Sequence, residues 1–203
     1  MNEKERMLAE LPYRAWLDGL AEERQQTKKK IYQFNNCSPD DAAQQEQLLR
    51  SILGKAGVDV HIEPPFHCDY GRNIEVGDHF FANYNCIILD TAKIRIGNNV
   101  MFGPNVSLLA AGHPVHPEAR NSGYEYGIGI TIGDNVWLGG SVTVNPGVRI
   151  GNNVVIGSGS VVVKDIPDNV IAAGNPCKVI RAITEDDRRY YYKNREFDVD
   201  WQK

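Results

Sequence analysis

From Ile132 to Val162 an aliphatic residue returns at every sixth position: Ile132, Leu138, Val144, Ile150, Ile156 and Val162. Four places after each stands Val136, Val142, Val148, Val154, Ser160 or Ile166. Gly133, Gly139, Gly151 and Gly157 directly follow four of the lead residues. A six-residue period fits neither a helix face nor plain strand alternation. It marks a parallel β-solenoid, in which short strands and turns stack coil on coil. Three such hexapeptides make a triangular rung whose lead aliphatics point inward and stack on their equivalents above and below. Each buried Ile, Leu or Val contributes about 1.5–3 kcal/mol of transfer free energy. Asn98-Asn99, Asp134-Asn135 and Asn152-Asn153 suit the corners, because Asn and Asp tolerate the left-handed backbone that β-branched residues resist.

The period reaches back toward the N-terminus. Tyr70, Val76, Ala82, Ile88 and Ile94 keep one register; after a two-residue slip Ile96, Phe102 and Leu108 carry a second. Between Leu108 and Ile132 the pattern breaks. Residues 111–129 hold two His, two Pro, two Glu and two Tyr, the composition of a loop extruded from the stack, and loops on rigid scaffolds are where chemistry concentrates.

Residues 1–57 read differently, as a helical region. Ser38-Pro39-Asp40-Asp41 predicts a helix start, with Ser38 as cap and Pro39 in the first turn. Leu48, Leu49, Ile52 and Leu53 then form an apolar stripe ended by Gly54 and Gly57. Leu8, Leu11, Trp16, Leu17 and Leu20 suggest a shorter helical segment broken by Pro12. A solenoid exposes apolar rungs at its ends, so this region is expected to cap one of them. Lys28-Lys29-Lys30 reads as a solvated helix face, with contact to a ligand phosphate as the alternative. The division that follows is 1–57 helical, 58–183 solenoid, and 184–203 a C-terminal tail.

At 203 residues and 42% hydrophobic content the chain can bury one sizeable core. A formal net charge of -4 gives no electrostatic reason to expect nucleic acid or an anionic membrane as partner. Met1 to Arg6 is charged, and no stretch has the length of a membrane span. Cys37, Cys68, Cys86 and Cys177 are scattered without a Cys-x-x-Cys pair, the usage of reduced thiols in a cytoplasm.

Gly112-His113-Pro114-Val115-His116, following a hexapeptide segment, resembles the sugar O-acetyltransferases. The likeness extends to Ala173-Gly174-Asn175-Pro176-Cys177-Lys178-Val179-Ile180-Arg181, to Pro64-Pro65-Phe66-His67-Cys68-Asp69-Tyr70-Gly71 and to Phe81-Ala82-Asn83-Tyr84-Asn85, and so covers nearly the whole chain. The maltose and galactoside acetyltransferases are the members it most resembles. The resemblance implies a mainly β fold, a left-handed parallel β-helix of hexapeptide repeats with an N-terminal helical region. Spacing alone does not set that hand, and the usual crossover rule favours the opposite one. The resemblance further implies a homotrimer with active sites in clefts between subunits, acetyl-CoA as acetyl donor, a sugar as acceptor, and no metal.

Acetyl transfer from a thioester to a hydroxyl needs a base for the alcohol proton, donors for the oxyanion and a groove for coenzyme A. By resemblance His113 is the base, a task that suits an imidazole titrating near neutrality. His116 is its near neighbour. Asn83 falls where the family places an asparagine that contacts the acceptor and stabilises the transition state; a corner Asn with left-handed backbone is the plainer alternative. Asp69 aligns with a sugar-contacting position, and Glu125 is a candidate to contact the acceptor or to orient His113. For coenzyme A the resemblance points to Gly140, Ser158, Val163, Lys164, Lys178 and Arg181, the cations meeting phosphates. Four positions depart from the family pattern. Acids expected at two acceptor positions fall on Ala15, with Asp18 nearby, and on Thr91, just after Asp90. Lys178 stands for an Arg, and Val163 for a Thr, so only the backbone of Val163 could contribute. Trp137 reads as an outward strand position, at a subunit interface or beside the acceptor.

Three rivals share the solenoid: a zinc lyase of the carbonic anhydrase type, a non-catalytic scaffold and an antibiotic acetyltransferase. The lyase needs three His around zinc, and the scaffold has no use for His113, Asn83 and a cationic closing segment together. A covalent route through Cys68 or Cys86 is a further alternative, against which both read as small buried hydrophobes.

Overall fold

A computed structural model describes residues 1–201. The chain winds as a parallel β-solenoid with three faces. The first face stacks Lys55–Ala56, Ile74–Val76, Ile94–Ile96, Ile130–Ile132 and Arg149–Ile150. The second stacks His61–Ile62, Phe81–Ala82, Met101–Phe102, Trp137–Leu138, Val155–Ile156 and Val170–Ala173. The third stacks Phe66–Cys68, Cys86–Leu89, Ser107–Leu109, Thr143–Val144 and Val161–Val162. The six lead residues from Ile132 to Val162, and the set four places after them, are all buried, and all but Ser160 belong to one continuous hydrophobic core. The period exists because each lead residue meets its own equivalent one coil away: Leu138 on Ile156, Val144 on Val162.

The corner between first and second faces explains the Asn pairs. Asn99, Asn135, Asn153 and Asn169 have φ of 54, 57, 56 and 59°. Their carboxamides form a ladder, Asn99 Nδ2 to Asn135 Oδ1 at 3.2 Å, Asn135 to Asn153 at 3.0 Å and Asn153 to Asn169 at 2.8 Å. The preceding residues run a parallel ladder. The backbone N–H groups of Asn98, Asp134 and Asn152 donate to the side chains of Asp134, Asn152 and Asp168 at 2.7, 2.8 and 2.7 Å. Asn and Asp occupy these positions for two reasons: they tolerate αL and they stack.

The register slip is a lengthened coil. Val76 pairs with Ile96, Ala82 with Phe102 and Ile88 with Leu108, so the extra residues fall in the corner around Asp90 and Thr91. Ile94 and Ile96 consequently both point inward. The same lengthening corrects the place of Tyr70. The residue stacked beneath Ile88 is Cys68, and Tyr70 turns out of the solenoid into a separate small core with Met7, Tyr13, Ala15 and Leu20.

Helices α1 (Glu3–Leu8), α2 (Leu20–Asn35) and α3 (Ala42–Ile52) precede the first rung. Ile31 and Phe34 of α2, Leu49 and Ile52 of α3, and Leu53 just beyond it merge with the solenoid core and close its end. Two expectations fail here. The cap of α3 is Asp41, not Ser38: the Asp41 carboxylate accepts from Gln44 N at 3.0 Å, and Ser38 Oγ accepts from Asp40 N in the preceding turn. The stretch from Leu11 to Leu17 is not helical, because Pro12 cannot continue a helix and the Tyr13 backbone is taken by another segment. Lys28, Lys29 and Lys30 are exposed on α2. At the far end Lys178–Ala182 lies antiparallel on Val170–Ala173. Among the described residues no helix is long and apolar enough to cross a membrane.

Candidate active site

Two corner columns flank the third face. The column between second and third faces stacks Asn83-Tyr84-Asn85, Gly103-Pro104-Asn105, Gly139-Gly140-Ser141 and Gly157-Ser158-Gly159. Its turns are joined by Asn105 N to Tyr84 O, Ser141 N to Pro104 O and Gly159 N to Gly140 O, each at 2.8 Å. A Cβ on Gly139 would lie 2.6 Å from Ser158 Oγ, so glycine there lets successive turns nest. Asn83, Gly140 and Ser158 therefore share one edge. Asn83 N donates to Phe102 O at 3.0 Å, and its Oδ1 accepts from Tyr84 N at 2.8 Å. That fixes the carboxamide and leaves its Nδ2 hydrogens without a partner among the described residues.

The opposite column, between third and first faces, contains Asp69-Tyr70, Asp90-Thr91, Asn145-Pro146 and Val163-Lys164. The chain leaves this column after Leu109. Ala111–Gly112 pairs antiparallel with Tyr126–Gly127, and a short helix, α4 (Pro117–Asn121), lies between. His113 follows the first of these strands directly; it is exposed, and its ring makes no hydrogen bond among the described residues.

This excursion docks on the N-terminal segment. Tyr13 and Glu125 exchange backbone hydrogen bonds at 2.9 and 3.0 Å. The Tyr13 hydroxyl donates to the Glu125 carboxylate. Gly129 N donates to Glu10 Oε1 at 2.9 Å, and the Arg14 guanidinium lies 4.6 Å from the Tyr124 ring centre. Glu125 is thus held by Tyr13 and not by His113.

Asp69 lies beside this junction. Burial raises its carboxyl above the ordinary value; Arg24 pulls it down, Glu125 pushes it further up, and Lys28 pulls down again. Arg24 donates to the Tyr70 hydroxyl at 2.6 Å, and burial pushes that phenol up to about 12. Beneath them Asp90 is fully buried and accepts from the backbone N–H of Asp69, Tyr70 and Asn73 at 3.0, 2.8 and 3.3 Å. Burial pushes Asp90 up to about 7, against the N–H donors of Tyr70 and Asn73 that favour the carboxylate. Cys68 and Cys86 are buried, and burial raises both thiols, Cys86 to about 12, which leaves them poor nucleophiles.

The remaining candidate residues are scattered over the molecule. Val163, Lys164 and Lys178 are exposed. Arg181 forks onto Asp187 at 2.8 and 2.7 Å. Ala15 is buried beside Tyr13 in the small core, and the buried Thr91 hydroxyl has no partner among the described residues. Trp137 points outward from the second face, 51% exposed, beside Met101 at 52%. Sequence reasoning missed Tyr13, Arg24 and Tyr70 as neighbours of Asp69 and Glu125. The one available signal was Pro12, which frees the backbone after it from a helix.

Residues 6–57 match the family described as "Maltose acetyltransferase hexapeptide capping motif", and residues 129–164 match "Bacterial transferase hexapeptide (six repeats)". The chain is 46% identical over 177 residues to the galactoside O-acetyltransferase of Escherichia coli K12, covering 87% of each. It is similar to the crystal structure of a maltose O-acetyltransferase from Clostridium difficile 630, with TM-score 0.90, 52% identity, and coverage of 91% of this chain and 99% of that one. It is also similar to a galactoside acetyltransferase in complex with coenzyme A, with TM-score 0.95, 44% identity, and coverage of 98% of this chain and all of that one.

Proposed function

The chain belongs to the maltose and galactoside O-acetyltransferase family of hexapeptide-repeat enzymes, and we propose that it moves an acetyl group from acetyl-CoA to a sugar hydroxyl with His113 as general base. It is an acetyl-CoA-dependent acyltransferase. In the proposed reaction a ring nitrogen of His113 takes the proton of the sugar hydroxyl while its oxygen bonds to the thioester carbonyl carbon. The carbonyl oxygen becomes an oxyanion, which the Nδ2 hydrogens of Asn83 receive. Collapse breaks the carbon–sulfur bond, and the departing thiolate takes the proton from His113. One observation carries this reading: among the described residues His113 stands exposed and uncommitted on the excursion, and Asn83 keeps an oriented carboxamide with both donor hydrogens free.

Asp69 and Glu125 accept hydrogen bonds from other sugar hydroxyls in this reading, next to the excursion. Gly140 and Ser158, above Asn83 on the same corner, line the pantetheine arm, with Val163 offering its backbone. Lys164 and Lys178 meet the phosphates. Arg181 joins them once its fork leaves Asp187. The acceptor is a hexose or glucoside, acetylated at the 6-position.

His113 and Asn83 lie on different corners, so we propose a homotrimer in which one subunit's His113 faces a neighbour's Asn83. The outward row Phe81, Met101, Trp137, Val155 and Ile171 on the second face supports this, because it offers apolar surface for a flat contact. Scattered reduced cysteines support a cytoplasmic enzyme.

Acceptor profiling tests the reading: thiol release from acetyl-CoA is followed with glucose, maltose, galactosides and amino sugars. Sugar-dependent release with an ester product is expected. An amide product, or release indifferent to sugar, contradicts it.

A further inference from the structure

We propose that Tyr13 is a positioning residue for the acceptor: its hydroxyl and backbone together fix Glu125, and with it the excursion that carries His113, in the orientation that meets the sugar. The proposal rests on the acetyltransferase reading and on Glu125 as an acceptor contact, and it adds a residue that does not itself touch substrate.

Tyr13 is fully buried, yet it is not part of the solenoid core. It stands in the smaller core with Met7, Ala15, Leu20 and Tyr70. A buried hydroxyl needs a partner, and this one has a carboxylate. The two backbone bonds between the same residues make a two-stranded bridge, so three hydrogen bonds join Tyr13 to Glu125.

The neighbours make the contact directional. Glu10 holds Gly129 N, where the excursion returns to the first face, and Arg14 covers Tyr124. Gly123 has φ of 84°, and a Cβ there would lie 2.5 Å from the Trp16 ring, so the excursion is shaped to the N-terminal segment. Glu125 also stands close enough to Asp69 to push that carboxyl upward. Two acids so close repel, and left free Glu125 would swing away from Asp69 toward solvent. The Tyr13 hydroxyl opposes that swing and occupies one carboxylate oxygen, leaving the other for a sugar hydroxyl. A helical cap would serve the solenoid with α2 and α3 alone; the Glu10–Trp16 segment serves the excursion.

Tyr13→Phe keeps the packed ring and removes the donor. The expected result is a KM for the sugar raised about tenfold, the size of one lost charge-assisted hydrogen bond, with KM for acetyl-CoA unchanged and the melting temperature nearly so. Glu125→Gln should raise the sugar KM by a similar factor, and the double variant should be no worse than the worse single. An active wild type with an unchanged sugar KM in Tyr13→Phe overturns the proposal, as does equal loss toward both substrates. If Tyr13→Phe fails to fold, an unaltered sugar KM in Glu125→Gln overturns it instead. A wild-type chain with no sugar-dependent thiol release overturns the acetyltransferase reading itself.

Discussion

Asn83 and His113 stand at opposite edges of one solenoid face. Asn83 sits in the corner that leads into Cys86–Leu89, and His113 on the excursion that leaves the next coil at the far end of Ser107–Leu109. Four extended residues span about 13 Å, so the two backbones stand on opposite sides of that face. In the proposed trimer a site that uses both is shared between copies of the chain.

Complementation tests that sharing. His113→Ala and Asn83→Ala chains should each be nearly inactive alone. Co-expressed in equal amounts, they should recover roughly a quarter of wild-type turnover, because random trimers give one shared site in four an intact pair. Activity no greater than the sum of the two parents would mean that each chain builds its own site.

Acceptor charge should matter. Asp69 and Glu125 are close and both half-buried, so an anion entering between them meets two like charges in a poorly screened place. Glucose 1-phosphate should have a kcat/KM at least about tenfold below that of methyl glucoside, and Asp69→Asn should narrow the gap. Equal kcat/KM for the two acceptors would remove these acids from the acceptor site.

Asp90 should tie stability to pH. Its folded-state value of about 7 lies above its ordinary 3.8, so between those values the native protein holds a proton that the unfolded chain has released. Its contribution is fully present below about pH 4 and is lost as pH rises through about 7. In urea melts the wild type should lose a few kcal/mol more than Asp90→Asn between pH 4 and pH 8, on the order of 1.4 kcal/mol per unit of displacement. The variant starts less stable, since an amide offers one acceptor oxygen where three backbone N–H groups converge. Parallel pH profiles would show that Asp90 is not displaced.

The solenoid was legible because its repeat is a contact map: Ile132, Ile150 and their partners sit where one rung meets the next. The Asn corners were legible for the same reason, since αL geometry and carboxamide stacking leave few residue choices. Tyr70 was misread because a period cannot see a lengthened coil; two added residues carry the side chain past the corner and outward. Ser38 was misread because Asp41, three residues on, competes for the same helix start. Tyr13 was invisible in the sequence, for its partner Glu125 lies more than a hundred positions away and no period links them. His113 and Asn83 stood out through local motifs, but their separation by a whole face is a property of coil geometry.

Turnover of His113→Ala with acetyl-CoA and the best sugar acceptor, measured on protein with wild-type melting temperature and oligomeric state, tests the general-base claim most directly. The expected kcat is lower by about 10²–10⁴, with little change in either KM. A kcat within a few-fold of wild type would contradict it.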